Sequence, residues 1–295
     1  MILGMDIQRF VTRRKELGLS QVKLCQEICT QATLSKFESG KQIPTLEILN
    51  QLCARLGLGL DDLNQGSILA VKTLHQNLAK IEEGLMIEDF LEVRKLLKKI
   101  NPDEIWVSED KLRYYYLEGM TNVLTNQPLS KVVKSFSYIL KIGDPKHHTL
   151  YTYLAYLGEG IFYIRHDALK QAHFFFRKVE GYFRQSFKQS KPDLDYAYLT
   201  MAYFLAEYYA VLEEFSKSNE FIKLAWIKCT KLHRTYYLPR LKLLEAENYL
   251  SLQADQTQIL ESLEAARAFA QLNNNNTVLV QVAALLQSYR RLVLK

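Results

Sequence analysis

The sequence is poor in the residues that interrupt helices. Its 295 residues include only 12 glycines and 6 prolines. Because these two residues break helices and mark turns, their scarcity beside many Leu, Ala, Lys, Glu and Gln favours long helices over sheets. Hydrophobic residues make up 48% of the chain, which excludes a disordered protein. The length is sufficient for two domains with separate cores.

Cysteines are also few, and no long apolar segment is present. The four cysteines, Cys25, Cys29, Cys53 and Cys229, are not spaced like a secreted disulfide framework. No run of 18 apolar residues could form a transmembrane helix, and the N-terminus does not have the pattern of a signal peptide. We therefore expect a cytoplasmic protein that does not contact a membrane.

Catalytic motifs are absent from the sequence. The six histidines form no H-E-x-x-H pair, and neither a Walker motif nor a dinucleotide-binding glycine motif occurs. Cys25 and Cys29 are four residues apart, which permits a shared metal site on one helix face. Both fall where a packed helix pair needs small apolar residues, so buried thiols are the preferred interpretation. We expect no enzyme, no catalytic residues, no metal and no cofactor.

The sequence divides into two regions that differ in the length and composition of their predicted helices. Residues 1–65 contain short predicted helices with tight turns, and residues 67–295 contain long amphipathic helices rich in aromatics. The segment Asn64-Gln65-Gly66-Ser67 is the predicted boundary. The net charge is +6, and residues 1–44 carry seven Lys and Arg against four acidic residues. This mild basic excess is compatible with nucleic-acid binding but does not establish it.

The first region is predicted to form five short helices. Asp6, Ser20 and Thr30 are candidate N-caps, and Gly18, Gly40 and Gly57 are candidate stops. The expected helices cover residues 7–17, 21–28, 31–38 and 44–56, with a fifth after 58–62.

The second region is predicted to form helical hairpins. Turn residues such as Asn101-Pro102 and Gly143-Asp144-Pro145 separate them. The expected pairs are 67–84 with 87–100, 109–125 with 128–142, 147–165 with 167–187, 194–212 with 214–232, and 236–252 with 256–272. A last helix over 277–293 has no partner, and it is a candidate for dimerisation or for the cap of the array.

A recurrent glutamate supports the repeat. Glu118, Glu159, Glu207 and Glu247 each follow a small or apolar residue, at spacings of 41, 48 and 40 residues. Two helices per unit at a period near 40 are typical of an α-solenoid of tetratricopeptide (TPR) type, with a HEAT-like array as the neighbouring possibility. The predicted fold is all-α, with a five-helix N-terminal domain followed by a TPR-like α-solenoid.

The strongest functional signal lies in residues 17–63. Leu24, Ile28, Leu34 and Phe37 are spaced so that they are buried between two helices, as a helix-turn-helix requires. The third helix then exposes a polar face, whose first residues can reach base edges while others bind phosphate. The predicted DNA-binding residues are Gln21, Gln31, Ala32, Thr33, Ser35, Lys36 and Lys41.

These residues resemble the Xre/Cro-type helix-turn-helix family. The shared pattern comprises Leu19-Ser20-Gln21, the run from Thr33 to Lys41, and Pro44-Thr45-Leu46. One departure is that the turn Ile28-Cys29-Thr30 has no glycine. Helical repeats follow this predicted domain, so the whole chain is similar in architecture to the PlcR-type regulators of the RNPP family and to the related Rgg proteins. The resemblance implies a homodimeric transcription factor, active in quorum sensing, whose repeats bind a short signalling peptide on their concave face.

The first helices of the hairpins would line that concave face. If the repeated glutamates are equivalent, residues three to four positions away share their face. The predicted peptide-binding residues are Glu118, Asn122, Glu159, Tyr163, Thr200, Tyr203, Glu207, Arg240 and Glu247. The carboxylates would favour a basic side chain or a free amino terminus in the ligand. The alternative interpretation is that these tyrosines pack between helices and the glutamates pair with basic residues of adjacent repeats.

Two other functions remain open on the sequence alone. In the first, the chain is a DNA-tethered TPR scaffold that docks a protein partner and takes no peptide. In the second, the repeats act like a phosphatase on a response regulator, although a DNA-binding head argues against it. The preferred prediction is a peptide-controlled regulator that binds double-stranded operator DNA as a homodimer.

Overall fold

The computed structural model describes residues 6–42, 44–105, 107–187 and 194–293. Over these residues the regular structure is helical throughout, so the predicted all-α fold is confirmed. The chain divides into two compact units, Met1–Asn77 and Leu78–Lys295. No helix among the described residues is long and apolar enough to cross a bilayer.

The first unit contains four helices and the start of a fifth, which continues past Asn77. They are α1 (Ile7–Glu16), α2 (Gln21–Cys25), α3 (Gln31–Glu38), α4 (Leu46–Leu56) and α5 (Leu60–Met86). The side chains of Asp6, Ser20, Thr30 and Thr45 each accept a backbone N–H bond in the first turn of the helix that follows. These bonds satisfy amide groups that have no partner within the helix, so the predicted caps at Asp6, Ser20 and Thr30 are confirmed.

Helix α2 ends three residues earlier than the sequence predicts. Glu27 has a φ of 61°, in the left-handed region, and takes the place in the turn where a glycine was expected. Arg55 of α4 donates from one guanidinium nitrogen to the carbonyl oxygens of Leu24 and Gln26, at 3.1 and 2.5 Å. This bond from a distant helix holds the shortened end of α2.

Helix α5 runs without interruption through the predicted boundary. Two separate helices were expected on either side of residues 64–67, and that prediction is wrong because α5 spans Leu60–Met86. Gly66 costs a helix about 1 kcal/mol relative to alanine, which is too little to end a helix of 27 residues by itself.

Helices α1 to α4 and the start of α5 form the core of the first unit. The rings of Phe10 and Phe37 meet edge to face, with centroids 5.1 Å apart. Leu24 and Leu34 are completely buried beside them, and Ile28 packs against this core from a half-buried position. The predicted anchoring of α3 is therefore confirmed.

The second unit continues with ten α-helices among the described residues, besides a short 3-10 helix at Pro102–Glu104 and a π-helix at Ile139–Gly143. They are α6 (Phe90–Lys98), α7 (Ser108–Leu124), α8 (Leu129–Tyr138), α9 (Leu150–Ile164), α10 (Leu169–Ser186), α11 (Asp195–Val211), α12 (Phe215–Leu232), α13 (Leu238–Ser251), α14 (Gln256–Leu272) and α15 (Asn276–Val293). Helices α7 to α14 form four hairpins, as predicted, and the first helices α7, α9, α11 and α13 pack against one another in order. Helix α15 packs on α13 and α14 through the buried Val278 and Val282 and so closes the array.

The four hairpins share one type of turn. Each turn contains one residue with a left-handed φ of 51 to 59°, namely Asn126, Asp167, Glu213 and Gln253. The next residue donates its N–H to a carbonyl five positions back, as in the bond from Gln127 to Asn122. This is the Schellman arrangement that satisfies the last carbonyls of a helix. The spacings of the four turn residues are 41, 46 and 40, which fixes the register of the repeats.

That register separates the four repeated glutamates into two classes. Glu118 and Glu159 lie eight residues before their turns, whereas Glu207 and Glu247 lie six residues before theirs. The residue equivalent to Glu118 in the last hairpin is Glu245. Glu118 accepts a bond from Ser135 at 2.7 Å, and Glu245 accepts the corresponding bond from Ser262 at 2.9 Å. The expectation that all four glutamates are equivalent is therefore wrong.

Candidate nucleic-acid interface and ligand-binding face

The third helix presents the predicted polar face. Leu34 and Phe37 are fully buried behind it, while Gln31, Ala32 and Lys36 are exposed. Leu34 and Phe37 lie three residues apart on one side of the helix, so Ala32 and Lys36, four residues apart on the opposite side, face outward.

A chain of polar contacts fixes the side chain of Gln31. Gln31 Nε2 donates to Gln21 Oε1 at 2.8 Å, and Gln21 Nε2 donates to Glu38 Oε2 at 2.8 Å. Glu38 receives two bonds from Arg14, at 2.6 and 2.9 Å, and Arg14 also donates to the Leu19 carbonyl at 2.7 Å. The Arg14–Glu38 pair is nearly buried, with side chains 12% and 8% exposed. We call Arg14, Gln21, Gln31 and Glu38 the glutamine network.

The network leaves Gln31 able to recognise a base. The bond to Gln21 uses one of the two Nε2 hydrogens, so the second N–H and the Oε1 oxygen stay available. A side-chain amide in this state matches the N7 acceptor and N6 donor of adenine in the major groove. Holding the amide in advance lowers the conformational entropy lost on binding.

The other predicted DNA-binding residues are distributed around Gln31. Lys36 and Lys41 are exposed, and Ser35 is half-buried. The Thr33 hydroxyl lies 2.9 Å from the Thr30 hydroxyl at the start of α3, so it also takes part in the cap. Exposed ammonium groups on such a surface are chemically suited to phosphate contacts, which supply most of the salt-dependent affinity of DNA-binding proteins.

In the second unit, three predicted ligand residues come together on α11 and α13. Thr200 is buried, and its hydroxyl lies 2.8 Å from that of Tyr237. The guanidinium carbon of Arg240 lies 4.0 Å from the centre of the Tyr203 ring. We call Thr200, Tyr203, Tyr237 and Arg240 the tyrosine–arginine cluster.

Arg240 is the dominant charge in this cluster. Its side chain is 7% exposed, and its nearest carboxylate oxygen, Glu88 Oε1, is 3.7 Å away, beyond hydrogen-bonding distance. Burial lowers the pKa of Arg240, but Tyr203 and Glu88 raise it by more, so the pKa moves upward overall and the charge stays. A buried guanidinium with no short carboxylate contact is well suited to take an anionic or carbonyl group from a ligand.

The carboxyls of the first helices are also perturbed. The surrounding protein removes water from Glu159 and Glu247 and raises the pKa of both carboxyls; at Glu247 the charge of Glu207 adds to this effect. Tyr203 donates to Glu207 at 3.2 Å. A positive charge on a ligand would relieve these shifts, in agreement with the predicted preference for a basic group.

The remaining predicted ligand residues lie in other surroundings. Glu118 and Asn122 line an open cleft of about 350 Å³ that α6 and α8 help to form, with Arg94, Lys98 and Lys131. Tyr163 of α9 stacks on Phe175 of α10 with an angle of 6° between the rings. The nine residues proposed from sequence therefore form more than one patch.

Two residues of the tyrosine–arginine region could not be found from the sequence. Nothing in the local sequence distinguishes Tyr237 from a packing residue, and Glu88 lies in the turn between α5 and α6, more than 150 residues from Arg240. No local pattern connects them, because their approach depends on how successive hairpins pack.

The thiols behave as small hydrophobic groups. Cys25 and Cys53 are buried in the first core and Cys29 packs at its edge. Burial and the charge of Asp62 raise the pKa of Cys53 to about 11, which keeps this thiol protonated and unreactive at neutral pH. Among the described residues, no group of three or more His, Cys, Asp and Glu side chains could hold a metal ion.

Residues 12–63 match the Helix-turn-helix family. The match includes all of α2, α3 and α4 and every member of the glutamine network. The N-terminal unit contains a helix-turn-helix domain. Arg14 and Glu38 thus hold the side chains of Gln21 and Gln31 within a domain of a known type.

Solved structures match nearly the whole chain. PlcR of Bacillus thuringiensis, in complex with the peptide PapR7 and DNA, matches with a TM-score of 0.59 at 15% identity, over 95% of this chain and 99% of PlcR. ComR of Streptococcus vestibularis with its signalling peptide XIP gives 0.57 at 17% identity, over 94% and 96%. ComR of S. thermophilus with DNA and the peptide ComS gives 0.56 at 16%, over 94% and 96%. The chain has the fold of these regulators. No curated protein matches its sequence significantly.

Proposed function

We propose that this protein is a homodimeric, sequence-specific transcriptional regulator in the cytoplasm, controlled by a short signalling peptide. Residues 1–65 would bind double-stranded DNA, and residues 67–295 would sense the peptide and dimerise. The chain would act by binding and not as an enzyme.

The glutamine network is the observation that carries the DNA-binding part. A glutamine that only faces solvent does not require a bond to a second glutamine, which is in turn bonded to a nearly buried ion pair. The arrangement instead orients one amide at the start of an exposed helix, where the second helix of a helix-turn-helix meets base edges. The solved DNA complexes of PlcR and ComR, which have the same fold, support this assignment.

The peptide part is supported by the row of first helices. The tyrosine–arginine cluster supplies hydroxyls and one buried positive charge. Glu207 of α11 and Glu247 of α13 supply carboxylates on the same helices, and Glu159 supplies one on the neighbouring α9. Extended peptides need both kinds of group for their backbone and termini. PlcR and both ComR proteins were solved with a peptide bound.

The DNA-binding part is tested by selection of fragments from the genome of the source organism with the full-length protein. We expect one or a few fragments to be enriched, with paired half-sites that reflect a dimer. Gln31→Ala should weaken binding to an enriched fragment by about 1–3 kcal/mol, roughly 5- to 150-fold, because a base contact is lost. Gln26→Ala is the matched control, since this glutamine is exposed at the end of α2.

If the wild type enriches no fragment, or if Gln31→Ala and Gln26→Ala bind the enriched fragment with equal affinity, Gln31 does not recognise a base. Lys36→Glu adds a separate readout. It should weaken binding to all sequences alike and reduce the salt dependence of affinity, because a phosphate contact is replaced by repulsion.

The peptide part is tested with a synthetic heptapeptide library on the immobilised full-length protein. We expect enriched peptides to change the affinity for the selected DNA fragment by at least fivefold. Arg240→Gln should weaken the binding of such peptides. If enriched peptides bind but leave DNA affinity unchanged, peptide control is wrong and a DNA-tethered scaffold is the better description.

A further inference from the structure

The open cleft between α6 and α8 lies on the side of α7 that faces α8. Its volume is about 350 Å³, and Glu118 of α7, which accepts a bond from Ser135 of α8, marks that side. None of α9, α11 and α13 contributes a described residue to its lining, so the cleft is separate from the tyrosine–arginine cluster. Small-molecule sites occupy roughly 300–1,000 Å³, so the cleft suits a small metabolite better than a peptide.

The spacing of the lining residues directs their side chains into the cleft. Arg94 and Lys98 lie four residues apart on α6, and Glu118 and Asn122 lie four residues apart on α7. Residues at this spacing share one side of a helix. Lys131 joins them from the first turn of α8. Three helices thus bring polar side chains to one opening.

Positive charge predominates in the cleft. Among the described lining residues, Arg94, Lys98 and Lys131 are basic, and Glu118 is the one acidic residue. Over the part of the chain that the structure describes, Arg94 and Lys98 form no ion pair, and Lys131 donates to a neutral side-chain amide at 3.0 Å. Glu118 accepts from two neutral hydroxyls, which leave its charge in place. The described lining therefore has an excess of two positive charges.

This excess matches a group with two negative charges. A phosphate monoester carries about −1.5 to −2 at pH 7 and presents three acceptor oxygens. A guanidinium can bind two of these oxygens side by side, while ammonium groups act as point charges. The half-buried Asn122 adds a neutral amide with N–H donors. A single carboxylate would leave about half of the positive charge unmatched.

We propose that this cleft binds a phosphate group, either free inorganic phosphate or the phosphate ester of a small metabolite. Arg94 would donate a pair of hydrogen bonds to the phosphate, Lys98 and Lys131 would supply charge, and Asn122 would donate to a further oxygen. The body of an ester would lie towards Tyr114, which also lines the cleft. This site is independent of peptide control of DNA binding.

Four probes test the cleft on the full-length protein in a low-salt buffer without phosphate. Glucose 6-phosphate has the group on a small neutral body, inorganic phosphate is the group alone, succinate has two carboxylates, and glucose is neutral. We expect at least one phosphate probe to saturate in calorimetry and to bind at least about fivefold more tightly than succinate, and we expect no binding of glucose. The tighter of the two phosphate probes identifies the source of the group.

Variants then locate the binding. Arg94→Gln should weaken the tighter phosphate probe about 10-fold, and Lys131→Gln about threefold, with smaller effects at high salt. Lys95→Gln is the matched control, because it removes an equal charge from α6 at a position outside the described lining, where the lysine pairs with Glu92 at 3.4 Å. Its effect should stay below about twofold.

A change of opposite sign is expected at the acidic residue. Glu118→Gln removes the negative charge while its side-chain oxygen can still accept from Ser135, so the phosphate probe should bind about threefold more tightly. Loss of folding cannot produce a gain in affinity, so this variant separates the electrostatic role from a structural one.

Equal binding of succinate and the phosphate probes, saturation by neither phosphate probe, or equal losses in Arg94→Gln and Lys95→Gln would overturn the site. If Arg94→Gln weakens binding of a scrambled duplex while no phosphate probe saturates, the cleft contacts the DNA backbone instead, and the proposal is wrong. These results leave the proposed function untouched, since that function is measured with the selected fragment and with heptapeptides.

Discussion

The two units begin and end their helices by different means. In the first unit, α1 to α4 start on side-chain caps, and Gly18, Gly40 and Gly57 take the left-handed conformation in the turns. In the second unit, α6, α14 and α15 also start on side-chain caps, but α7 to α13 have no N-cap side-chain bond, and the hairpins turn at non-glycine residues. Local signals define the helix starts of the first unit, whereas α7 to α13 of the second unit depend on packing between helices.

The second unit contains more strained turn residues than the first. A non-glycine residue in the left-handed region costs roughly 1–2 kcal/mol; each hairpin of the second unit contains one, whereas the described turns of the first unit contain only Glu27. The large aromatic interfaces of that unit, such as Phe176 stacked on Tyr208 with centroids 4.2 Å apart, offset this cost.

The largest expected effect is the loss of one core ring. Phe136 is fully buried, and it lies so close to Gly119 and Gly158 that a Cβ on either glycine would overlap the ring. Phe136→Ala should destabilise the second unit by about 3–5 kcal/mol, since it leaves a cavity. Urea unfolding followed by tryptophan fluorescence measures this unit alone, because both tryptophans lie after residue 77.

Phe174→Ala is the control for ring removal, since that ring is 56% exposed. Its expected cost is below about 1 kcal/mol. If both substitutions cost the same, aromatic packing is not what stabilises the second unit.

A smaller effect is expected at Asp144, which holds the start of α9. One of its oxygens, Oδ2, accepts from the Thr149 N–H and from the hydroxyls of Thr149 and Thr152, at 2.7 to 2.9 Å. Asp144→Ala should cost about 2–3 kcal/mol at pH 7, because the buried Thr152 hydroxyl loses its acceptor.

The pH dependence gives an independent check. Burial tends to raise the pKa of Asp144, but the bonds from Thr152 and Thr149 outweigh it and hold the pKa well below its ordinary value. A carboxyl with a lowered folded-state pKa adds stability above its unfolded pKa of about 3.9, and that stability is lost as the pH falls through the folded value. The difference between wild type and Asp144→Ala should therefore shrink as urea titrations are taken from pH 5 towards pH 2. A constant difference would contradict this.

Exchanging turn residues between the units should give effects of opposite sign. Gly57 has a φ of 66°, and apart from its chain neighbours no atom lies within 4 Å of where an alanine Cβ would be. Gly57→Ala therefore tests the conformation alone and should cost about 1–2 kcal/mol. Glu213→Gly in the second unit should instead stabilise by up to about 1 kcal/mol. Hydrogen exchange of the first unit and fluorescence of the second measure the two changes. Two changes of the same sign would show that strain is not the distinguishing feature.

The smallest contrast concerns the helix starts. Thr45→Ala removes a cap bond to the Ile48 N–H and should cost about 1 kcal/mol. Glu214→Ala, at the start of α12, removes no cap bond and only an exposed contact to Lys217, so its cost should stay below about 0.5 kcal/mol. Differential scanning calorimetry and hydrogen exchange near each helix compare the stability of the two variants. Equal losses of stability would show that the two helices do not differ in how their starts are stabilised.

Much of the fold could be predicted from the sequence because its signals are periodic. Leu34 and Phe37 marked the buried side of α3, and the hairpin order followed from turn residues. The expected interruption of the helix at residues 64–67 was wrong because one glycine does not end a long helix. The equivalence of Glu207 with Glu118 was wrong because the third hairpin shifts the register by two residues, and that shift is visible only in the backbone turns.

The amino-acid order alone determined the helical class, the caps of the first unit and the residues offered by its third helix, since these depend on neighbours within one or two turns. Only the tertiary structure decided that Arg14 and Glu38 hold Gln21 and Gln31, that Arg240 approaches Glu88, and that Tyr116 lines a cavity. Those contacts join side chains up to about 150 residues apart, and their geometry follows from how the helices pack.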